Sequence, residues 1–267
     1  MSTLVRFLRP ALYSPRHLAS AHTVGALLPC LAALPAVTSE LNPLVGVLWI
    51  ILLIISLGIH EAAHAWVALK CGDPTARDLG RITLNPIVHI DLFMTILLPA
   101  MLYVSTGGAF VFGGAKPVPV SFHRLRHPWR DMALVAIAGP LSNLLLAVFF
   151  LLLWKFFVNT GWYNGAAAVD TERHKDLLPT VLDRTLFSNL LLAVFNFVPI
   201  PPLDGSRVMA WLLPASVRSA YVAMESFGLL IVMGLVYFSS SFMNFILREV
   251  YSISRFLDSV VSLGGLW

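Results

Sequence analysis

Sixteen consecutive residues without a charge, Leu44 to Ile59 (LVGVLWIILLIISLGI), run straight into His60-Glu61-Ala62-Ala63-His64. A run this apolar on every side reads as a membrane-crossing helix. On a helix, positions i and i+4 share a face, so His60 and His64 can hold one metal ion through two ring nitrogens. Glu61 then stands where a general base for a metal-activated water belongs. Sixteen residues rise about 24 Å at 1.5 Å each, against a hydrocarbon thickness of about 30 Å. His60 is therefore expected near the far side of the membrane, still below its surface.

The whole chain agrees with that reading. Of 267 residues, 58% are hydrophobic and 12% charged, and mean hydropathy is +0.80. Globular domains average about 45–50% apolar and about 25% charged. The expected fold class is thus an all-α polytopic membrane protein of about five to six transmembrane helices. A net charge of +4 orients loops in such a protein; no RNA- or DNA-binding motif accompanies it, and no nucleic-acid partner is expected. The two cysteines, Cys30 and Cys71, argue against a disulfide framework or a cysteine zinc site.

Three regions follow from the pattern. Residues 1–43 form a basic N-terminus, with Arg6, Arg9 and Arg16, and a first span over about 24–37. Residues 44–208 form the membrane core. It holds a span over 44–69, a polar loop over 70–90, a short apolar segment over 92–105, a span over 132–153, and a span from 186 that breaks in NFVPIPPLDG (196–205). Residues 209–267 hold a last span over 226–247 and an amphipathic tail. Between the core's apolar segments, GGAFVFGGAKPVPV (107–120) sets β-branched and aromatic residues between glycines, the signature of a small re-entrant hairpin. Loops 70–90 and 106–131 are net positive, so both are assigned to the cytoplasmic side and the 92–105 segment must dip in and return.

Two histidines do not complete a catalytic zinc site, which needs a third protein ligand and an open position. The chain has 14 acids, and most lie in loops. Asp91 and Asp204 remain at the edges of apolar segments, where an acid is costly and marks function. Asp204 is the better placed, because the prolines before it break a span and release backbone to line a cavity. A rival ligand, Glu225, lies near the last span without a supporting motif. His123 and His127 repeat the i, i+4 spacing, but Arg124 stands where a base would be needed. His89 reads as a turn residue, and Asn143 either faces the site or bonds across helices at Pro140.

HEAAH in one span and NFVPIPPLDG in a later one, with GDPTARDLGRITLNPIVHID (72–91), GGAKPVPV (113–120) and AGPLSNLLLA (138–147) between them, resemble the site-2 protease family of intramembrane zinc metalloproteases. The likeness is to the compact prokaryotic branch without a PDZ domain. It implies one zinc per chain held by His60, His64 and Asp204, with Glu61 as catalytic base. Asn196 matches the family asparagine that holds substrate backbone or stabilises the oxyanion. The resemblance further implies transmembrane protein substrates, the lipid bilayer as surroundings, and a prokaryotic cell membrane with the site toward the cytoplasm. A membrane zinc-binding protein or inactive scaffold without proteolysis is the alternative. Leu92-Phe93-Met94 stands where the family has a proline and a glycine, and Gly114 where an aromatic is usual.

Overall fold

The computed structural model describes residues 42–160 and 177–263. The expected first span over 24–37 and most of the loop over 158–185 lie outside the described residues. Helix α1 (Pro43–Lys70) starts where Asn42 accepts hydrogen bonds from the backbone N–H groups of Leu44 and Val45, with Pro43 at its first position. It stops at Gly72, whose φ of +108° favours a residue without a side chain. A single turn, α2 (Thr75–Asp78), follows. After a 3-10 turn over Pro86–His89, a wide π-type helix over Leu92–Leu97 leads into α3 (Leu98–Ser105). The remaining helices are α4 (Pro128–Asn159), α5 (Leu177–Asn196), α6 (Asp204–Leu212), α7 (Ala215–Ala223), α8 (Glu225–Phe238) and α9 (Ser240–Leu263).

Helices α1, α4 and α5 are each long and apolar enough to cross a membrane, and α7 and α8, bent by 67°, make a fourth if taken as one span. These are three or four spans among the described residues, against the five to six expected. Leu151 of α4 and Leu190 of α5 share one buried cluster, and Leu53 of α1 joins Leu192 of α5 in a second; Leu53, Leu151 and Leu190 are all 2% exposed or less. Trp49 ties two of them directly, its indole N–H donating to Ser188 Oγ at 2.9 Å.

The segment over 92–105 forms the π-type helix and α3. It leaves from beside Gly58, where Pro86 and His89 pack, and climbs to the start of α1, where the Tyr103 hydroxyl donates to the Asn42 carbonyl at 2.6 Å. The chain then comes back along α1 as an irregular strap. Val111 joins Trp49, Leu53 and Leu57, and Arg126 N–H reaches the Cys71 carbonyl at 3.1 Å. This strap replaces the expected hairpin, and no strand occurs among the described residues. Its polar groups are already taken by other elements. Gly114 N–H donates to the Met94 carbonyl, Lys116 N–H to the His89 carbonyl, and the Gly114 carbonyl accepts from Thr95 Oγ1. Pro117 and Pro119 have no N–H to offer a ladder.

The expected last span over 226–247 is also corrected: α8 ends at Phe238 and α9 starts at Ser240. Ser239, Ser240 and Ser241 compete with the helix for backbone bonds, and Ser239 Oγ accepts from Phe242 N–H at 3.2 Å as a cap for α9. Helix α9 then runs antiparallel to α5, with Phe242 against Phe195 and Tyr251 against Phe187. Its far end is fixed by Lys155 of α4, whose Nζ lies 2.9 Å from Asp258 Oδ1 and donates to Ser262 Oγ at 2.7 Å.

Lys155 is 9% exposed, so removing its partner leaves a buried ammonium unpaired, a loss of about 3–5 kcal/mol. Asp258→Ala should lower the unfolding midpoint in detergent more than the double change Lys155→Met with Asp258→Ala, which removes both charges. A double variant less stable than the single would refute this account of the pair.

Candidate metal centre

His60 and His64 lie in the last three turns of α1, on the face packed against α4, and are 6% and 8% exposed. Each ring is oriented by α4 through Nδ1. His64 Nδ1 lies 2.7 Å from the Val135 carbonyl, and His60 Nδ1 lies 2.5 Å from Asn143 Oδ1. A carbonyl can only accept, so His64 carries its proton on Nδ1. Asn143 Oδ1 likewise takes the Nδ1 proton of His60. Both Nε2 atoms are then bare lone pairs, and they face each other at 3.0 Å. Pro140, with no N–H for the Ala136 carbonyl, loosens α4 in the turn that supplies these acceptors.

Asp204 completes the cluster. The chain after Asn196 turns through Pro199–Leu203, and α6 begins at Asp204. Gly205 lets that start tuck against the end of α5, because a Cβ there would stand 2.2 Å from the Phe197 carbonyl oxygen. Asp204 Oδ2 lies 3.3 Å from each Nε2. It is buried and receives no hydrogen bond.

Three acceptors converge with no proton between them, which is unfavourable unless a cation sits among them. The donor set fits zinc. Zinc–nitrogen and zinc–oxygen bonds of about 2.0–2.1 Å at tetrahedral angles put ligand atoms about 3.3 Å apart. Among the described residues these three form the cluster of histidine, cysteine and acidic side chains able to hold a metal. Cys71, at the end of α1, is outside it; burial and then the nearby Asp131 push its thiol up, away from the thiolate form.

Glu61 is 9% exposed, and its Oε2 accepts the Val118 N–H of the strap at 2.7 Å. The other residues singled out by pattern are elsewhere. Asp91 caps the π-type helix, accepting from Phe93 and Met94 N–H. His89 is buried and its Nε2 donates to the Thr83 carbonyl at 3.2 Å, a turn role. His123 and His127 are exposed. Glu225 is engaged by Arg207. Asn196 is half-buried, and its Nδ2 donates to the Leu192 carbonyl of its own helix at 3.1 Å. Pattern reading missed the Val135 carbonyl and the Val118 amide, since backbone groups leave no mark in a sequence. It also missed Gly139, although that residue lies inside AGPLSN.

Residues 48–186 match the model of peptidase family M50. The match stops short of Asp204, so that residue is linked to the histidines by geometry. The chain is 38% identical over 216 residues to the "Putative zinc metalloprotease YwhC" of Bacillus subtilis (strain 168), covering 80% of this chain and 89% of the relative. It is 29% identical over 186 residues to the "Putative zinc metalloprotease Rip2" of Mycolicibacterium smegmatis, covering 68% of this chain and 64% of that longer relative. It is 35% identical over 77 residues to the "Putative zinc metalloprotease MJ0611" of Methanocaldococcus jannaschii, covering 29% and 32%. No solved structure matches the chain.

Gly139 is where α4 passes the histidines, and a Cβ there would stand 2.3 Å from His64 Nε2 and 2.5 Å from His60 Cε1. Gly139→Ala therefore keeps every donor in the chain but forces the rings apart. Its metal affinity, measured by competition with a chelator, should fall about 10–100-fold, as for other changes that misorient ligands. Unchanged affinity would show that α1 and α4 can separate without disturbing the cluster.

Proposed function

The chain belongs to peptidase family M50, the site-2 protease family, and from that premise we propose that it is an intramembrane zinc metalloprotease that hydrolyses peptide bonds of transmembrane protein substrates. The observation that carries this reading is the convergence of His60 Nε2, His64 Nε2 and Asp204 Oδ2 within 3.3 Å of one another, beside Glu61, at the end of an apolar helix. One zinc per chain bound there supplies a Lewis acid that polarises a water and the scissile carbonyl.

The chain's own groups do the rest. Glu61 takes the proton of the attacking water and returns it to the leaving amine. Its Oε2 accepts the Val118 N–H, which fixes the carboxylate that carries the proton. Asn196 has two N–H donors on Nδ2, one of them engaged by Leu192. The other is offered to the substrate carbonyl as negative charge develops there. The substrate helix must unwind locally, because helical peptide carbonyls are already hydrogen-bonded and shielded. Water enters from the end of the bundle where α6 begins. A cavity of about 320 Å³ lies between the strap, α4, α6 and α7, lined by Phe122, Met132, Arg207 and Val222.

The basic loops that flank the site, with Lys116, Arg124, Arg126 and Arg130 in the longer one, support a cytoplasmic location for it in a prokaryotic cell membrane.

Zinc analysis of the detergent-purified protein tests this. Wild type should hold about one zinc per chain, Asp204→Ala should lose most of it, and Glu225→Ala should keep it. Glu61→Gln should retain zinc yet cleave a transmembrane substrate about 10²–10⁴-fold more slowly. Retained zinc with no Glu61-dependent cleavage would turn the reading to a zinc-binding membrane protein without proteolysis.

A further inference from the structure

His60 presents a bare Nε2 only while Asn143 shows it an oxygen. An asparagine amide can turn over, and its Nδ2 would then face His60 Nδ1. His60 would have to accept there and carry its proton on Nε2, where the metal belongs. His64 is safe from this, since its partner is a main-chain carbonyl. Something must hold Asn143 in one of its two orientations, and its surroundings name the group.

Asn143 Nδ2 donates to Asn189 Oδ1 of α5 at 3.0 Å. Asn189 is itself fixed by two acceptors. Its Nδ2 donates to the Thr185 carbonyl at 2.9 Å and to Ser56 Oγ at 3.0 Å. The Ser56 hydroxyl proton is spent on the Leu52 carbonyl at 2.9 Å, so Ser56 meets Asn189 as an acceptor. The amine end of Asn189 thus faces the Thr185 carbonyl, which can only accept, and the Ser56 hydroxyl, whose proton is given to Leu52, and its oxygen is turned to Asn143. Asn143 and Asn189 are 0% exposed and Ser56 is 1%, so water does not compensate a reversal. The direction of every bond follows from two main-chain carbonyls, those of Leu52 and Thr185.

We propose that Asn189 is a positioning residue for the metal: through Asn143 it fixes the Nδ1–H tautomer of His60 and so keeps the Nε2 lone pair available. This rests on the zinc-site reading above. It assigns a role to a polar seam that joins α1, α4 and α5 and that touches neither metal nor substrate.

The test is metal affinity of the full-length protein in detergent, for zinc by chelator competition and for cobalt by its ligand-field spectrum. Asn189→Leu removes the anchor and should weaken binding about 10–100-fold. Adding Asn143→Asp to that variant should recover most of the loss, because a carboxylate shows His60 an acceptor whichever way it turns. A side chain that mattered only for packing would gain nothing from that second change. Asn189→Ser is the milder companion should the leucine variant not fold. Its hydroxyl back-bonds to the Thr185 carbonyl but falls short of Asn143, so it should also lose at least tenfold. Wild-type affinity in the serine or leucine variant, or a double variant as weak as Asn189→Leu alone, would overturn the proposal. Wild-type protein that binds neither metal would overturn the zinc site itself and this proposal with it.

Discussion

Three acceptor atoms from two helices, pressed to within 3.3 Å without a proton among them, are the constraint around which this molecule is organised. Left alone they repel, and the fold holds them together from behind. The Val135 carbonyl and Asn143 draw the two Nδ1 protons away from the cluster. Gly139 lets α4 approach, and Gly205 seats the helix that delivers Asp204. Asn143, Gly139 and Gly205 are polar or side-chain-less residues at otherwise apolar contacts, so local packing is given up to keep the cluster intact.

Such a cluster is stable only where the bundle cannot relax, and the surrounding apolar core provides that. Leu151 and Leu190 share one buried cluster and Leu53 and Leu192 another, and Trp49 fixes α1 on α5 by a hydrogen bond as well as by area. Membrane helices gain little from the hydrophobic effect among themselves, because lipid tails are as apolar as leucine. Close packing and internal hydrogen bonds therefore carry more of the load here than they would in water.

Much of the histidine helix was legible in its letters. Asn42-Pro43 starts it and Gly72 ends it, and the i, i+4 spacing needs no tertiary information. Asp204 could be singled out because an acid after Pro-Ile-Pro-Pro-Leu has few other uses. The strap was misread as a hairpin, since alternating β-formers between glycines look alike whether they pair with a strand or with helix ends and loop carbonyls. The break between α8 and α9 was overlooked because three serines are a weak signal inside an apolar stretch. Asn189 was invisible for a different reason. In SNLLLAVFN it is one polar letter on a buried helix, and its meaning depends on which way its own amide and that of Asn143 on α4 are turned.

The strap has a further consequence. Glu61 takes its hydrogen bond from Val118, which stands between Pro117 and Pro119. Neither proline has an N–H. If the strap slipped by one residue in either direction, the carboxylate would meet a position with nothing to donate. Val118 is the only residue of the three that can satisfy it, so the two prolines act as blank teeth on either side of a single working one. Registration of a segment with no regular secondary structure is in this way set digitally, by the absence of hydrogens, and a deletion or insertion of one residue between Gly114 and Val118 would leave the base without its donor.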